Sequence, residues 1–156
     1  MSWPIVKLED VFEIVRGGSP RPIDQYLTDD SDGLNWISIK DASNSDKYIY
    51  KTKQKIKKEG LSKSRLVNPG DFLLTNSMSF GRPYIMKTTG CIHDGWLALR
   101  GNKSKVDPDY FYYLLGSELL KAKFKALAKG AVVKNLNINL VKGVKIPLPP
   151  LETQKQ

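Results

Sequence analysis

Two short apolar runs, Phe72–Leu74 and Trp96–Leu99, frame the most sharply patterned stretch of the chain. Each is bounded by Gly or Pro, which predicts a short strand. Between them lie Thr75, Asn76, Ser77 and Ser79, a Gly-Arg-Pro break, and the single Cys and single His of the sequence. The polar insert predicts an exposed loop held by a rigid scaffold, the arrangement in which function usually sits.

The rest of the pattern is punctuated by turns. Leu8, Val11, Phe12 and Val15 recur at helical spacing, and Glu9 and Asp10 suit a first turn. A short helix is predicted there, stopped by Gly17-Gly18. Ser19-Pro20-Arg21-Pro22 reads as a turn or extended passage, which puts Arg21 in a loop. Asn35–Ile39 predicts a strand. Lys51, Lys53 and Lys55 alternate, so in an extended strand they would share one face. Gly60 to Leu66 reads as a short turn or helical piece, and Asn68-Pro69-Gly70-Asp71 as a tight turn. Asp107-Pro108 opens a helix, Asp as cap and Pro just inside, with Tyr110, Phe111, Leu114 and Leu115 on its apolar face and an end near Gly116. A second helix runs from about Glu118 to Lys129. A loop over 130–137 follows, then a short turn capped by Asn137 or Asn139. Val144–Ile146 forms a last strand, and Pro150 stands where a further helix would begin.

Composition narrows the class. The 156 residues suffice for one domain with a real core, and 40% hydrophobic with 26% charged residues is a globular balance. The net charge of +9 favours a polyanionic partner. The charge is also patterned. Residues 24–46 carry six acids and one Lys, whereas residues 47–65 carry seven Lys and one Arg against Glu59 alone. Lys51, Lys53, Lys55, Lys57 and Lys58 are therefore candidates for phosphate contact, with Lys129 and Lys134 second. A lysine-protected edge strand is the competing reading of that run. One Cys makes no internal disulfide, and Cys91 has no Cys-x-x-Cys or Cys/His cluster for zinc. A reducing, cytoplasmic setting is expected, with no membrane span or secretion signal.

Catalytic motifs are largely missing. There is no P-loop, no G-x-G-x-x-G and no Asn/Asp-Pro-Pro-Tyr. Asp71 and Asp94 lack the acid-x-Lys triplet of a nuclease core. Cys91 and His93, two residues apart, could pair as nucleophile and base, but no third orienting group is evident. The better reading has His93 or Asp94 bonding the backbone of the turn before Trp96. Recognition suits the loop better. Asn76, Ser77 and Ser79 offer donors and acceptors, Arg82 can bind guanine bidentately, and Met78 or Phe80 can wedge a base step or meet a thymine methyl. Arg21 is expected nearby. The plainer alternative is a long hairpin loop with Pro83 starting the next strand.

The order of the segments LEDVFEIVRGGSPRP, WISIKD, VNPGDFLLT, SFGRP, IHDGWLAL, the Tyr110-Phe-Tyr-Tyr helix, the Asn135-Leu-Asn loop and IPLPPLETQ is specific as a set. Along its whole length the chain resembles a target recognition domain of the specificity subunit of type I restriction–modification systems. That resemblance implies an α+β fold, with a small twisted, partly barrel-like mixed sheet and a few short helices. It implies recognition of one half of a two-part double-stranded DNA target, without catalysis and without a cofactor of its own. In such systems the methylation subunits, which bring the AdoMet chemistry, dock on long spacer helices, and the restriction subunit joins separately. Residues 1–150 would be the single recognition domain and residues 151–156 the start of a truncated spacer helix. A hydrolase built on Cys91 and His93, or a basic module binding RNA or protein, are the competing functions.

Overall fold

The computed structural model describes residues 3–76, 82–129 and 138–156, without the side chains of 128 and 129. β1 (Ile5–Lys7) leads directly into α1 (Leu8–Val11), whose first turn is closed by the Asp10 carboxylate accepting the Lys7 N–H at 2.8 Å. The helix expected to reach Val15 stops here. From Phe12 onward the chain is strand β2 (Phe12–Arg16). Phe12 and Ile14 point inward and Glu13 outward, a period of two that pairs with a neighbouring strand along its full length. That ladder outweighs the helical spacing of Leu8, Val11, Phe12 and Val15.

β3 (Leu27–Thr28) and β4 (Leu34–Ile37) follow. β4 ends earlier than the expected Ile39, because Ser38 caps α2 (Ile39–Ser43). The Ser38 Oγ accepts the Asp41 N–H, and the Asp41 carboxylate accepts the Ser38 N–H, each at 3.0 Å, a reciprocal capping box. The other Asp41 oxygen accepts the Lys53 N–H at 3.2 Å. Then come β5 (Tyr48–Ile49), β6 (Gln54–Ile56), a 3-10 segment over Lys58–Lys63, and β7 (Arg65–Val67). β8 (Phe72–Thr75), β9 (Pro83–Met86), β10 (Gly90–Ile92) and β11 (Trp96–Gly101) complete the sheets.

α3 (Pro108–Leu115) is built as its sequence predicts: the Asp107 carboxylate accepts the Tyr110 N–H at 3.1 Å, and Gly116 closes the helix. α4 (Glu118–Lys129), α5 (Ile138–Lys142), β12 (Lys145–Pro147) and α6 (Leu151–Gln154) end the chain. Gln154 is buried. Its amide donates to the Lys105 and Pro149 carbonyls, and its Oε1 accepts the Asp107 N–H, so α6 is pinned to the start of α3.

The strands form layers. β2-β11-β8-β9-β5 make a five-stranded mixed sheet, β3-β6-β4-β10-β7 a second, and β1 pairs with β12. The α+β class agrees with the sequence. The strands fall into three sheets, the two larger ones mixed, and no barrel closes among the described residues. Alternation explains the layering. On the first sheet Ile14, Leu99, Phe72 and Ile85 face one way, onto Phe111, Leu115, Leu120 and Phe124 of the helices. Ala98, Leu73, Tyr84 and Met86 face the other way, onto Ile37, Val67 and Ile92 of the second sheet. Such a sheet, buried on both faces, is apolar at nearly every position, which is why Phe72–Leu74 and Trp96–Leu99 read as unbroken runs. The outer side of the second sheet carries a smaller cluster of Trp36, Ile56 and Cys91.

The lysine run departs from expectation. Only Lys55 lies in a strand, β6, while Lys51 and Lys53 precede it. β6 runs between β3 and β4, so it is not an edge strand either, and Lys55 is half-buried opposite Asn35 and Thr28.

Candidate nucleic-acid interface

The strand β2 delivers Arg16-Gly17-Gly18 across the turn between β10 and β11. Side chains cannot fit there. A Cβ on Gly17 would meet the His93 carbonyl oxygen at 2.0 Å, and one on Gly18 the Lys63 carbonyl oxygen at 2.6 Å. The Gly17 N–H donates to the Trp96 carbonyl and the Gly18 N–H to the Ile92 carbonyl, both at 3.0 Å. Two glycines thus allow backbone to lie on backbone, and Ser19-Pro20-Arg21-Pro22 leaves the crossing with a fixed direction.

The turn beneath is rigid. His93 Nδ1 accepts the Gly95 N–H at 3.0 Å, and Trp96 Nε1 donates to the Ile37 carbonyl at 3.1 Å. The His93 ring stands 5.8 Å from Trp36 and 6.0 Å from Trp96. Burial holds its pKa below the usual histidine value, outweighing the opposite pull of Asp94. A neutral ring with Nδ1 as acceptor fits both facts. Cys91 is fully buried in β10, and burial pushes its thiol up to about 11 despite the Ser64 contact. That is opposite to what a nucleophile needs. Cys91 thus sits in the core, and His93 is bonded to the backbone of its own turn.

Asp94 is the hub. Its carbonyl accepts Asn76 Nδ2 at 2.7 Å and Arg16 Nε at 3.2 Å. Its carboxylate accepts the Ser19 hydroxyl at 3.2 Å and Arg21 at 3.0 Å, and its N–H donates to Ser19 Oγ at 3.3 Å. Burial alone would raise the carboxyl pKa. The bonds from Ser19 and Arg21, with the charges of Arg21 and His93, bring it below the ordinary aspartate value. Arg65 Nε in turn donates to the Arg16 carbonyl at 3.4 Å. One residue therefore joins the 16–22 segment to the first residue of the 76–82 loop.

The sequence candidates are distributed unevenly around this hub. Arg21 is exposed over 76% of its side chain and sits beside the loop foot through Asp94. Asn76 is only 2% exposed, and its amide donates inward to the Asp94 carbonyl, which ties the end of β8 to the turn between β10 and β11. Ser77, Met78, Ser79 and Phe80 lie outside the described residues. Arg82, exposed at the other foot, reaches the Ser45 carbonyl at 3.5 Å and stands 5.2 Å from the Tyr84 ring. Lys51, Lys53, Lys57 and Lys58 are exposed, and none of the ion pairs among the described residues engages them. Lys134 and the Lys129 side chain lie outside the described residues. The sequence reading missed Arg16, Arg65 and the hub role of Asp94. Arg16 before a glycine pair was the one available signal.

Arg21, Asp94, Ser19, Ile23, Trp36 and His93 line an open cleft of about 700 Å³, with apolar walls and charge at its rim. Among the described residues no group of His, Cys, Asp and Glu could hold a metal ion, and no helix is long and apolar enough to cross a membrane.

The chain is 34% identical to the MjaX type I restriction enzyme specificity subunit of Methanocaldococcus jannaschii, over 99% of this chain and 37% of that protein. It is 26% identical to the MjaVIII type I restriction enzyme specificity subunit of the same organism, over 99% of this chain and 34% of that protein. The solved HsdS subunit of Thermoanaerobacter tengcongensis superposes with a TM-score of 0.74 at 26% identity, over 99% of this chain and 35% of that one. The chain thus spans about a third of the length of these relatives. Residues 2–156 match the family model of the type I restriction modification DNA specificity domain, and the chain belongs to that family.

Proposed function

We propose that this chain is a sequence-reading unit for double-stranded DNA that recognises one half of a two-part target and does no chemistry itself. The observation that carries the reading is the Asp94 hub. It places an exposed arginine, Arg21, beside the foot of a polar hairpin loop whose other foot carries Arg82. An arginine bonded at one terminal nitrogen and otherwise exposed keeps its remaining guanidinium donors for contact with guanine, and the sequence between the two feet supplies further donors and acceptors. Lys51, Lys53, Lys57 and Lys58 supply exposed charge for phosphates. Residues 1–150 form the reading unit, and α6 begins a spacer helix through which methylation and restriction subunits of a type I system are addressed. The buried, high-pKa Cys91 speaks against the hydrolase alternative.

Binding to a randomised duplex pool tests the reading. One short motif should be enriched. With about four phosphate contacts from these lysines, the logarithm of the binding constant should fall with the logarithm of salt at a slope of about −3.6 or steeper. Equal preference for RNA, or binding indifferent to salt, would sink it.

A further inference from the structure

The arginines of this chain are compensated unequally. Arg100 makes paired contacts of 3.2 Å to the Asp71 carboxylate and a third of 3.2 Å to Glu13. Arg21 is paired with Asp94. Arg16 and Arg65 are different. Each is exposed, and each is anchored through Nε on a neutral backbone carbonyl, Arg16 on Asp94 and Arg65 on Arg16 itself. Their guanidiniums are positioned, and among the described residues no carboxylate pairs with them. Glu13, which shares a shallow cleft with Arg65, is engaged by Arg100.

Two exposed cations with no carboxylate partner attract an anion, most strongly at low salt. With Nε engaged, each guanidinium keeps its four terminal N–H donors, and the planar fork matches a phosphate. Anchoring the base of the side chain also lowers the ordering cost of binding. The 3-10 segment Lys58–Lys63 carries this surface on toward the exposed Lys57 and Lys58, and Gly18 is packed on the Lys63 carbonyl.

We infer that Arg65 and Arg16 form a pre-organised phosphate track, running from the start of β7 to Asp94, which lays the DNA backbone against the foot of the 76–82 loop. The inference rests on the duplex-binding reading and adds to it two arginines that extend the surface of the exposed lysines. Neutralising either arginine should make the salt slope shallower by about 0.9.

The test is the salt dependence of duplex binding by the whole chain, followed by fluorescence anisotropy, for the wild type, Arg16→Gln, Arg65→Gln and the double variant. The double variant should lose about 1.8 from the slope, with equal loss of affinity for enriched and random duplexes. If the wild type shows no salt-dependent duplex binding, the DNA reading itself fails. If the wild type does and the double variant keeps its slope, only the arginine track fails. A change in sequence preference would also overturn it, by making these arginines base readers. Should the glutamine pair not fold, Arg16→Lys and Arg65→Lys replace it. Those keep the slope but lose affinity for every sequence alike, and unchanged affinity defeats the proposal.

Discussion

Gly17 lies against the carbonyl oxygen of His93 so closely that a Cβ would stand 2.0 Å from it. Both sides of this contact are backbone, so no rotamer change can relieve it. Gly17→Ala is expected to cost about 3 kcal/mol or to prevent folding. Gly143→Ala, where the nearest atoms stand at 3.7 and 3.8 Å, is the control and should be close to neutral. Urea denaturation of the two variants distinguishes them.

His93 is the chain's single histidine, so its titration can be isolated. Its folded pKa lies below the ordinary histidine value of about 6.5, chiefly because the ring is buried. Between that folded value and about 6.5 the unfolded chain holds more protons than the folded one. The His93 contribution is therefore fully present above about pH 6.5 and is lost as the pH falls through the window toward the folded pKa, at no more than about 1.4 kcal/mol per pH unit. His93→Gln should flatten the stability profile between about pH 7 and 5. A wild-type profile already flat there would contradict the burial argument.

Cys91 should be inert. With a pKa of about 11, close to one thiol in a thousand is ionised at about pH 8. The residue is also fully buried. A thiol reagent at neutral pH should react only as fast as the chain unfolds, and the rate should rise steeply in denaturant. Fast labelling of the native protein would restore the Cys–His alternative.

Asn76 and Arg21 should separate under mutation. Asn76→Ala removes a bond of 2.7 Å to the Asp94 carbonyl from a buried position. A loss of about 1–2 kcal/mol of stability is expected, together with weaker sequence preference because the loop foot is freed. Arg21→Ala should leave stability nearly unchanged, since its ion pair is exposed, and should relax one base position at a cost of about 1–3 kcal/mol. Thermal melts and selection profiles on both variants check this. Uniform loss of affinity for Arg21→Ala would move it to the phosphate class.

Asp71 is 4% exposed, and its two oxygens are held by Arg100 and by the Asn68 N–H at 2.9 Å. Arg100→Met leaves that carboxylate buried with only the backbone donor. A destabilisation of about 2–3 kcal/mol at neutral pH is expected by urea titration, and an unchanged midpoint would contradict it.

Local signals in the chain are legible where the deciding neighbours are close in sequence. Asp107-Pro108 opens a helix, Gly116 closes it, and Glu118–Lys129 follows as predicted. The His93 bond to the backbone before Trp96 is also readable, because its partner is two residues away. Where sequence reading goes astray, a distant partner decides. Phe12–Arg16 has helical spacing but pairs with Trp96–Gly101, and the lysines alternate as a strand would although only Lys55 enters one.

The sequence by itself determined the family, through the order of its motifs, and it determined the apolar strands, the caps of the helices and the excess of positive charge, which follow from composition and short-range periodicity. Only the tertiary structure decided that Asp94 would gather Arg16, Arg21 and Asn76, and that Arg65 would lie against Arg16. Those partners are separated by 78, 73, 18 and 49 residues. No local preference encodes such separations. They arise because β10 pairs with β4 and β7, while β11 pairs with β2 and β8, so the burial of two sheet faces fixes which polar ends meet.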